Sequence, residues 1–384
     1  MSKKKYKVGL DLGSKVIRIA VTSYDEKGSQ NPKVIAGAVE PSDGIRHGRI
    51  VDRVAAKRSI KNIIQKTEKE LKEPIDSLFL GITGDYIKIK SAKTKNTVSK
   101  ASNEVSELDF EKAKIEALQS IPIDSPYEVL NISLSEIKLD GKKVRGNPVN
   151  QIGGILETKY LLSLIPKKIL EEYISLFEEL EISVKEVVLG SIVSYIPVTK
   201  RRERIAGVGV INIGHDNTTF VYFENELPVI SKTWAIGGAN ITNDIALMLQ
   251  TKIEDAEEIK KNFKTLNIKK VGQIINARID DICDLILREI KQVNEYGKIP
   301  GGIILIGGGA KIEDIENTMK KRLDMQVTLG SKIMQEVTKN VLKDSSWSTA
   351  YGLTYLDDKE KTIWENFLHH IRQSLTKILN TISP

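Results

Sequence analysis

Gly9-Leu10-Asp11-Leu12-Gly13-Ser14 near the start of the chain and Val210-Ile211-Asn212-Ile213-Gly214-His215 beyond its middle read as one pattern used twice. Each gives an apolar strand, a short polar residue, a glycine turn and a second apolar strand, so residues 8–21 and 205–223 each predict two strands meeting at a turn. A repeat spaced about half the chain apart predicts two similar domains facing each other. Around the two copies, helical and strand-like patterns alternate. Helices are expected at 55–71, 109–119, 169–180, 241–249, 255–263 and 271–294, with strands at 77–89 and a buried strand at 301–306. That alternation predicts an α/β chain with helix-covered sheets. Residues 83–157 mix strand and helix patterns with Gly-Lys and Gly-Asn turns, as an inserted subdomain would.

Composition narrows the class. A chain of 384 residues with 40% hydrophobic content can build two or three ordinary cores. A single cysteine excludes a disulfide scaffold, and Cys283 falls in a helical pattern without a partner thiol, so it reads as a small core residue in a reducing compartment. The net charge of +7 is well mixed and aromatics are only 5%, so nothing argues for a nucleic-acid partner. The basic residues 1–7 run directly into an apolar strand without a signal-peptide core, and export is not expected. No run approaches the ~18 apolar residues of a spanning helix, which leaves peripheral membrane contact.

Glycine recurs at strand ends: Gly13, Gly214, the pair Gly237-Gly238 and the triplet Gly307-Gly308-Gly309. Such turns let backbone N–H groups approach an anion, and a following helix N-terminus adds favourable potential, so a polyphosphate would suit the set. Neither of the two commonest phosphate loops, Walker A and GxGxxG, occurs.

These residues resemble the actin, hexokinase and heat-shock ATPase superfamily, in which each of two facing domains contributes a phosphate hairpin. More specifically they resemble the FtsA family of bacterial cell-division actin homologues. The likeness is carried by the 44–52 segment (GIRHGRIVD), Gly81-Ile82-Thr83-Gly84, the 236–245 segment (IGGANITNDI) and Ala256-Glu257-Glu258-Ile259-Lys260, in order along nearly the whole chain. It implies an actin-like (ribonuclease H-like) duplicated two-domain fold. The first domain would span 1–82 and 158–204, with an SHS2-like α+β subdomain at 83–157 for self-association and contact with later division proteins. The second domain would span 205–356, and 357–384 would be a linker and a C-terminal amphipathic helix. It implies ATP with Mg²⁺ in the cleft, with Asp11 acting through the metal's water shell. Gly13, Ser14, Gly214, Asn217 and Thr218 would hold phosphates, and Gly237 and Gly238 would close the site. Glu257 and Lys260 would reach the ribose or base beside Gly307, Gly308 and Gly309. The catalytic residue is unassigned.

Two departures from the family stand out. Asn212 replaces the Asp that commonly opens the second hairpin, and losing that carboxylate should slow hydrolysis more than binding. His215 and Asp216 also replace small residues in that turn. ATP binding with weak or absent ATPase activity is therefore expected. The segment 264–270 is too short to complete the family's small sheet, so that part of the second domain, around 250–272, is reduced. In the family this region receives the C-terminal peptide of the tubulin-like ring protein FtsZ, so the reduction falls on the surface where that partner would dock.

At the C-terminus a charged linker, Asp357-Asp358-Lys359-Glu360-Lys361, precedes an apolar stripe of Trp364, Phe367, Leu368, Ile371, Leu375, Ile378, Leu379 and Ile382 at spacings of three and four. Such a stripe serves either a helix docked on its own domain or one lying ~5–10 Å into a membrane interface. Its position, where the FtsA family carries its membrane-targeting helix, favours the membrane. Basic residues at 200–204 are expected in a solvated loop. The expectation is a filament-forming protein on the cytoplasmic membrane face at the division site. It would link the ring protein and other division proteins to the membrane. The alternatives are an adaptor of a pilus or secretion machine and a small-molecule kinase of the same superfamily.

Overall fold

The structure is a computed structural model that describes residues 6–24, 32–263, 265–266, 268–293, 297–339 and 341–356. The first half runs through β1 (Tyr6–Leu12), β2 (Val16–Ser23), β3 (Lys33–Pro41), a hairpin of β4 (Ile45–Arg46) and β5 (Arg49–Ile50), α1 (Arg53–Leu71) and β6 (Ser77–Ile82). Next come β7 (Lys88–Thr97), α2 (Glu107–Gln119), β8 (Tyr127–Leu139), β9 (Lys142–Lys143), β10 (Ile155–Pro166), α3 (Lys167–Glu178), β11 (Ser183–Leu189), α4 (Ser191–Ser194) and α5 (Arg201–Ala206). The second half holds β12 (Val208–Ile213), β13 (Thr218–Glu224), β14 (Leu227–Trp234), α6 (Gly238–Leu249), α7 (Ile253–Lys261) and α8 (Lys269–Val293). It ends with β15 (Ile303–Ile306), α9 (Ile315–Leu323), β16 (Val327–Leu329), α10 (Gly330–Val337) and α11 (Ser348–Leu353).

The duplication is visible in the sheets. One has the order β11-β6-β1-β2-β3, the other β16-β15-β12-β13-β14. In both, the two outer strands preceding the centre run parallel to it, and the remaining two form an antiparallel meander. This is the actin-like α/β arrangement. The glycine turn of each half joins the central strand to the first strand of the meander, so the two turns occupy equivalent places.

Each sheet is held by helices whose apolar faces match their period. On α8, Ile275, Ile279, Ile282, Cys283, Ile286 and Ile290 are buried against the second sheet. Burying each isoleucine contributes roughly 2 kcal/mol. On α1 the face is Ala56, Ile60, Ile63 and Ile64; Asp52 caps the helix by accepting from Ala55 N at 3.0 Å, and Lys72 ends it with left-handed φ. A third cluster, including Val198, Val210, Phe223, Ile306 and Tyr351, joins the halves beneath the cleft. Cys283 is a core residue, as the sequence predicts.

Strands β7 to β10 form a separate four-stranded sheet, order β7-β10-β8-β9, with α2 packed on it. This sheet runs past the boundary expected at Glu157, because β10 pairs continuously with β7 from Ile155 to Leu164 and leads straight into α3. Two smaller expectations also change. Ile205 belongs to α5 rather than to a strand, and the basic residues at 200–204 form the start of that helix rather than a loop. Glu203 accepts from Lys200 N at 2.7 Å, and Arg201 forms a paired contact with Glu226 at 2.7 and 2.8 Å, which fixes the helix on β13's end. Between α7 and α8 no strand occurs among the described residues, consistent with a reduced small subdomain. The apolar stripe at 364–382 lies outside the described residues. Among the described residues, no helix is long and apolar enough to cross a membrane.

Candidate nucleotide site

Between the halves lies a cavity of about 380 Å³, within the ~300–1,000 Å³ of small-molecule clefts. Asp11, Gly13 and Ser14 line it from the first turn, Gly214 and Asn217 from the second, and Gly238, Glu257, Lys260, Gly307, Gly308 and Gly309 from the rest of the second half. Residues nearly 300 positions apart in sequence are thus brought to one place. Two expected residues do not reach the cavity. Thr218 is fully buried and its hydroxyl donates to the Ile236 carbonyl at 2.7 Å, pinning the end of β14 to the turn. Gly237 packs beneath the second turn against the His215 carbonyl. The amides of Gly238 and Ala239 donate to Gly214 and His215 carbonyls at 3.0 and 2.8 Å, so the first turn of α6 is stapled to the glycine turn.

Gly307 ends β15 with φ +88°, and a Cβ there would come within 2.2 Å of Asn212 Oδ1. The chain can bend away from the sheet at this point only with glycine. Asn212 itself lines the cavity, where the sequence placed the missing carboxylate.

Glu257 organises one wall. Its Oε2 accepts from Lys260 Nζ at 2.7 Å and from Thr242 Oγ1 at 2.6 Å, and Oε1 meets Lys15 Nζ at 2.7 Å across the cleft. Burial alone would raise this carboxyl; the bonds from Lys15, Lys260 and Thr242 outweigh it and hold the group down at about 2. Lys260 also donates to the Gly238 carbonyl at 3.0 Å, and burial draws its ammonium below the ordinary range against the pull of Glu257. On the opposite wall, burial pushes the Asp11 carboxyl up to about 6, with Arg18 only partly opposing. Burial likewise lowers the His215 imidazole, against the pull of Asp216.

Sequence reasoning passed over Lys15, Arg18, Lys261 and Lys311 and gave no site role to Thr83 and Asp216, all of which line the cavity. The signals were present. Lys15 directly follows the first turn, and Arg18 interrupts the apolar β2 on the same cross-strand level as Asp11. Lys311 follows the glycine triplet, where it pairs with Asp344 at 2.8 Å.

The cavity suits a nucleotide with a divalent cation. Five basic side chains line it against three carboxylates, Asp11, Asp216 and Glu257, a balance that favours a polyphosphate. Among the described residues, the buried atoms Arg18 Nε and Asn217 Oδ1 have no hydrogen-bond partner. Orphaned polar atoms on a cavity wall are costly unless a ligand satisfies them. A side chain at Gly308 would meet nothing within 4 Å, so the backbone there is open to close approach. Asp11 offers a carboxylate of the kind that Mg²⁺ takes, directly or through water, alongside phosphates.

Comparison with known proteins agrees with this architecture. The family described as "Cell division protein FtsA" matches residues 209–352. A cell division protein FtsA of Bacillus subtilis is 24% identical over 370 residues, covering 90% of this chain and 82% of the relative. One from Borreliella burgdorferi is 26% identical over 380 residues, covering 92% and 91%. Among solved structures, a chain of the PilM-PilN type IV pilus biogenesis complex superposes with a TM-score of 0.71 at 13% identity, covering 91% of this chain and 97% of that one. MreB5 of Spiroplasma citri bound to ADP gives 0.53 at 13% identity, covering 94% and 99%. The structural likenesses establish the fold. The sequence likeness to relatives named cell division protein FtsA runs through both halves and the insert, alongside the duplicated actin-like sheets.

Proposed function

We propose that this chain is an ATP-binding, actin-like cell-division protein that assembles on the cytoplasmic membrane face and links ring components to it. The cavity carries the reading: two equivalent glycine turns, one from each half, meet a glycine triplet and a surplus of basic side chains. Backbone groups of Gly13, Ser14, Gly214 and Asn217 would hold the phosphates, with Thr218 contributing only its backbone. Glu257 and Lys260 would face the ribose or base, and Gly307 to Gly309 would lie along the adenosine. Asp11 would reach a bound Mg²⁺ through water, and that cation would neutralise phosphate charge. Lys15 and Arg18 would add positive charge on the first-half wall. With Asn212 in place of a carboxylate, the attacking water loses an orienting group, so turnover is slow relative to binding.

Relatives named as cell division proteins support the division role, and attachment would use the apolar stripe from Trp364 to Leu379. Many such stripes on one filament would convert reversible contacts into avid ones. FtsZ-type ring protein and other division proteins would be the partners. The pilus-complex chain shares the fold at 13% identity and adds no functional argument for a pilus adaptor.

Gly308→Val tests the site. Its branched side chain would enter open space without straining the fold, since a Cβ there meets nothing. Calorimetric titration with Mg·ATP should show tight binding to the native chain and at least ~10-fold weaker binding to the variant, the effect of about 1.4 kcal/mol. Equal affinities would remove the cavity from the account. For the membrane, the full chain should co-sediment with anionic liposomes and a chain ending at Glu360 should not; equal sedimentation of both overturns the anchor.

A further inference from the structure

The 44–52 segment lies outside the cavity lining yet touches both turns that form it. Arg46 Nη1 donates to the Ser14 carbonyl at 3.0 Å, on the first turn. The backbone N–H of His47 donates to Asp216 Oδ2 at 2.7 Å, on the second turn, 169 positions away. Asp216 is only 5% exposed, so this is a charge-assisted bond sheltered from water. The second residue of the hairpin turn makes a different set of contacts. The Gly48 carbonyl accepts from Tyr86 OH at 2.5 Å and from Tyr173 OH at 2.7 Å. Tyr86 lies where the chain enters the inserted sheet, between β6 and β7, and Tyr173 lies on α3, where the chain leaves it.

The hairpin is built to hold this geometry. His47 and Gly48 both have left-handed backbones, φ +49° and +70°, the conformation of a tight two-residue hairpin turn. A Cβ on Gly48 would lie 2.0 Å from the carbonyl of Thr83, which itself lines the cavity. The Arg49 guanidinium stacks over the Tyr86 ring at 4.6 Å. One two-stranded hairpin therefore reaches the two glycine turns through Arg46 and His47 and both junctions of the insert through Gly48.

We propose that this hairpin is a brace that makes the placement of the inserted subdomain depend on occupancy of the cleft. The inference rests on the ATP reading above. A ligand shifts such an equilibrium only through contacts that differ between the two states. Here the differing contact is the His47–Asp216 bond, which spans the halves and is made when the two turns are held together. When the halves part, the hairpin stays with the first turn through Arg46 and carries its Gly48 carbonyl, and with it Tyr86 and Tyr173, to a new position relative to the second half.

Hydrogen–deuterium exchange on the full chain, with and without Mg·ATP, tests this. In the native protein ATP should slow exchange several-fold in the two turns and also at the insert junctions, residues 83–88 and 164–173. In the Tyr86→Phe/Tyr173→Phe double variant the turns should still respond while the junctions no longer do. Junctions that respond equally in the variant overturn the brace, as do native junctions that stay silent while the turns respond. Native turns that show no response remove the ATP reading, and the inference with it. Should the double variant not fold, the single variants Tyr86→Phe and Tyr173→Phe decide: each should weaken the response at its own junction, 83–88 or 164–173, while the turns still respond, and a native-sized junction response in both overturns the proposal.

Discussion

Replacing Glu257 with glutamine should destabilise the second half by about 2 to 3 kcal/mol at neutral pH. Three contacts decide the size. Lys15 is 44% exposed, so its bond to Glu257 adds less than about 1 kcal/mol. Lys260 is 8% exposed and would lose its carboxylate, but it keeps the Gly238 carbonyl at 3.0 Å and the Thr242 hydroxyl at 2.8 Å. The loss therefore falls below the ~3–5 kcal/mol of a buried ion left with no partner. The pKa leads to the same magnitude. A carboxyl moved from 4.5 to about 2 corresponds to roughly 3 kcal/mol of preference for the ionised form in the folded state. The sign follows: a depressed folded-state pKa gives stability that is complete above about 4.5 and lost as pH falls through about 2. Scanning calorimetry of both proteins should show the variant's second-half transition about 5 to 10 °C lower at neutral pH. The gap should close as pH falls toward 2. A gap independent of pH, or none at neutral pH, refutes the assignment of Glu257 as the charged centre of this wall.

Asp11 carries the opposite sign. Its carboxyl is raised from 3.8 to about 6, so its ionised form costs the fold stability above about 6 and nothing below 3.8. Asp11→Asn should therefore melt higher than the native chain at pH 7.5 and equally at acid pH, while losing the Mg²⁺ dependence of ATP binding; a lower melting temperature at pH 7.5 contradicts this. Gly307→Ala combines a left-handed backbone with a Cβ 2.2 Å from Asn212 Oδ1, for a cost of about 2 to 4 kcal/mol. Gly308→Ala next to it should change urea stability by less than about 0.5 kcal/mol, and equal midpoints for the two variants would refute the geometry. Cys283 is fully buried and its thiol is pushed up to about 12, chiefly by burial. It should ignore a thiol reagent at pH 8 in the native protein and react fully in denaturant.

The duplicated pattern around Gly13 and Gly214 carried the architecture, because an apolar strand, a glycine turn and an apolar return strand have one economical packing. The helices with clean 3.6-residue periodicity, α1 and α8, were legible for the same reason. Ile205 was misread because three residues of apolar alternation cannot be told from the end of a short helix whose start is fixed by a Glu203 cap. The end of the insert was misplaced because β10 serves two structures, pairing in the inserted sheet and then handing the chain to α3. The glycines of the site were legible as turn residues, and most of them do line the cavity. Thr218 was not separable from its neighbours, because which face of a buried strand a hydroxyl takes depends on the Ile236 carbonyl arriving from β14. The charged partners were harder still: Lys15 meets Glu257 and His47 meets Asp216 only after the halves close, and neither pairing has a local signature.

Electron microscopy of the full chain on a lipid monolayer, with and without Mg·ATP, tests the central claim most directly. The account predicts filaments lying on the lipid when ATP is present, and none from a chain ending at Glu360. A chain that binds ATP in solution yet leaves the monolayer bare in both conditions would contradict it.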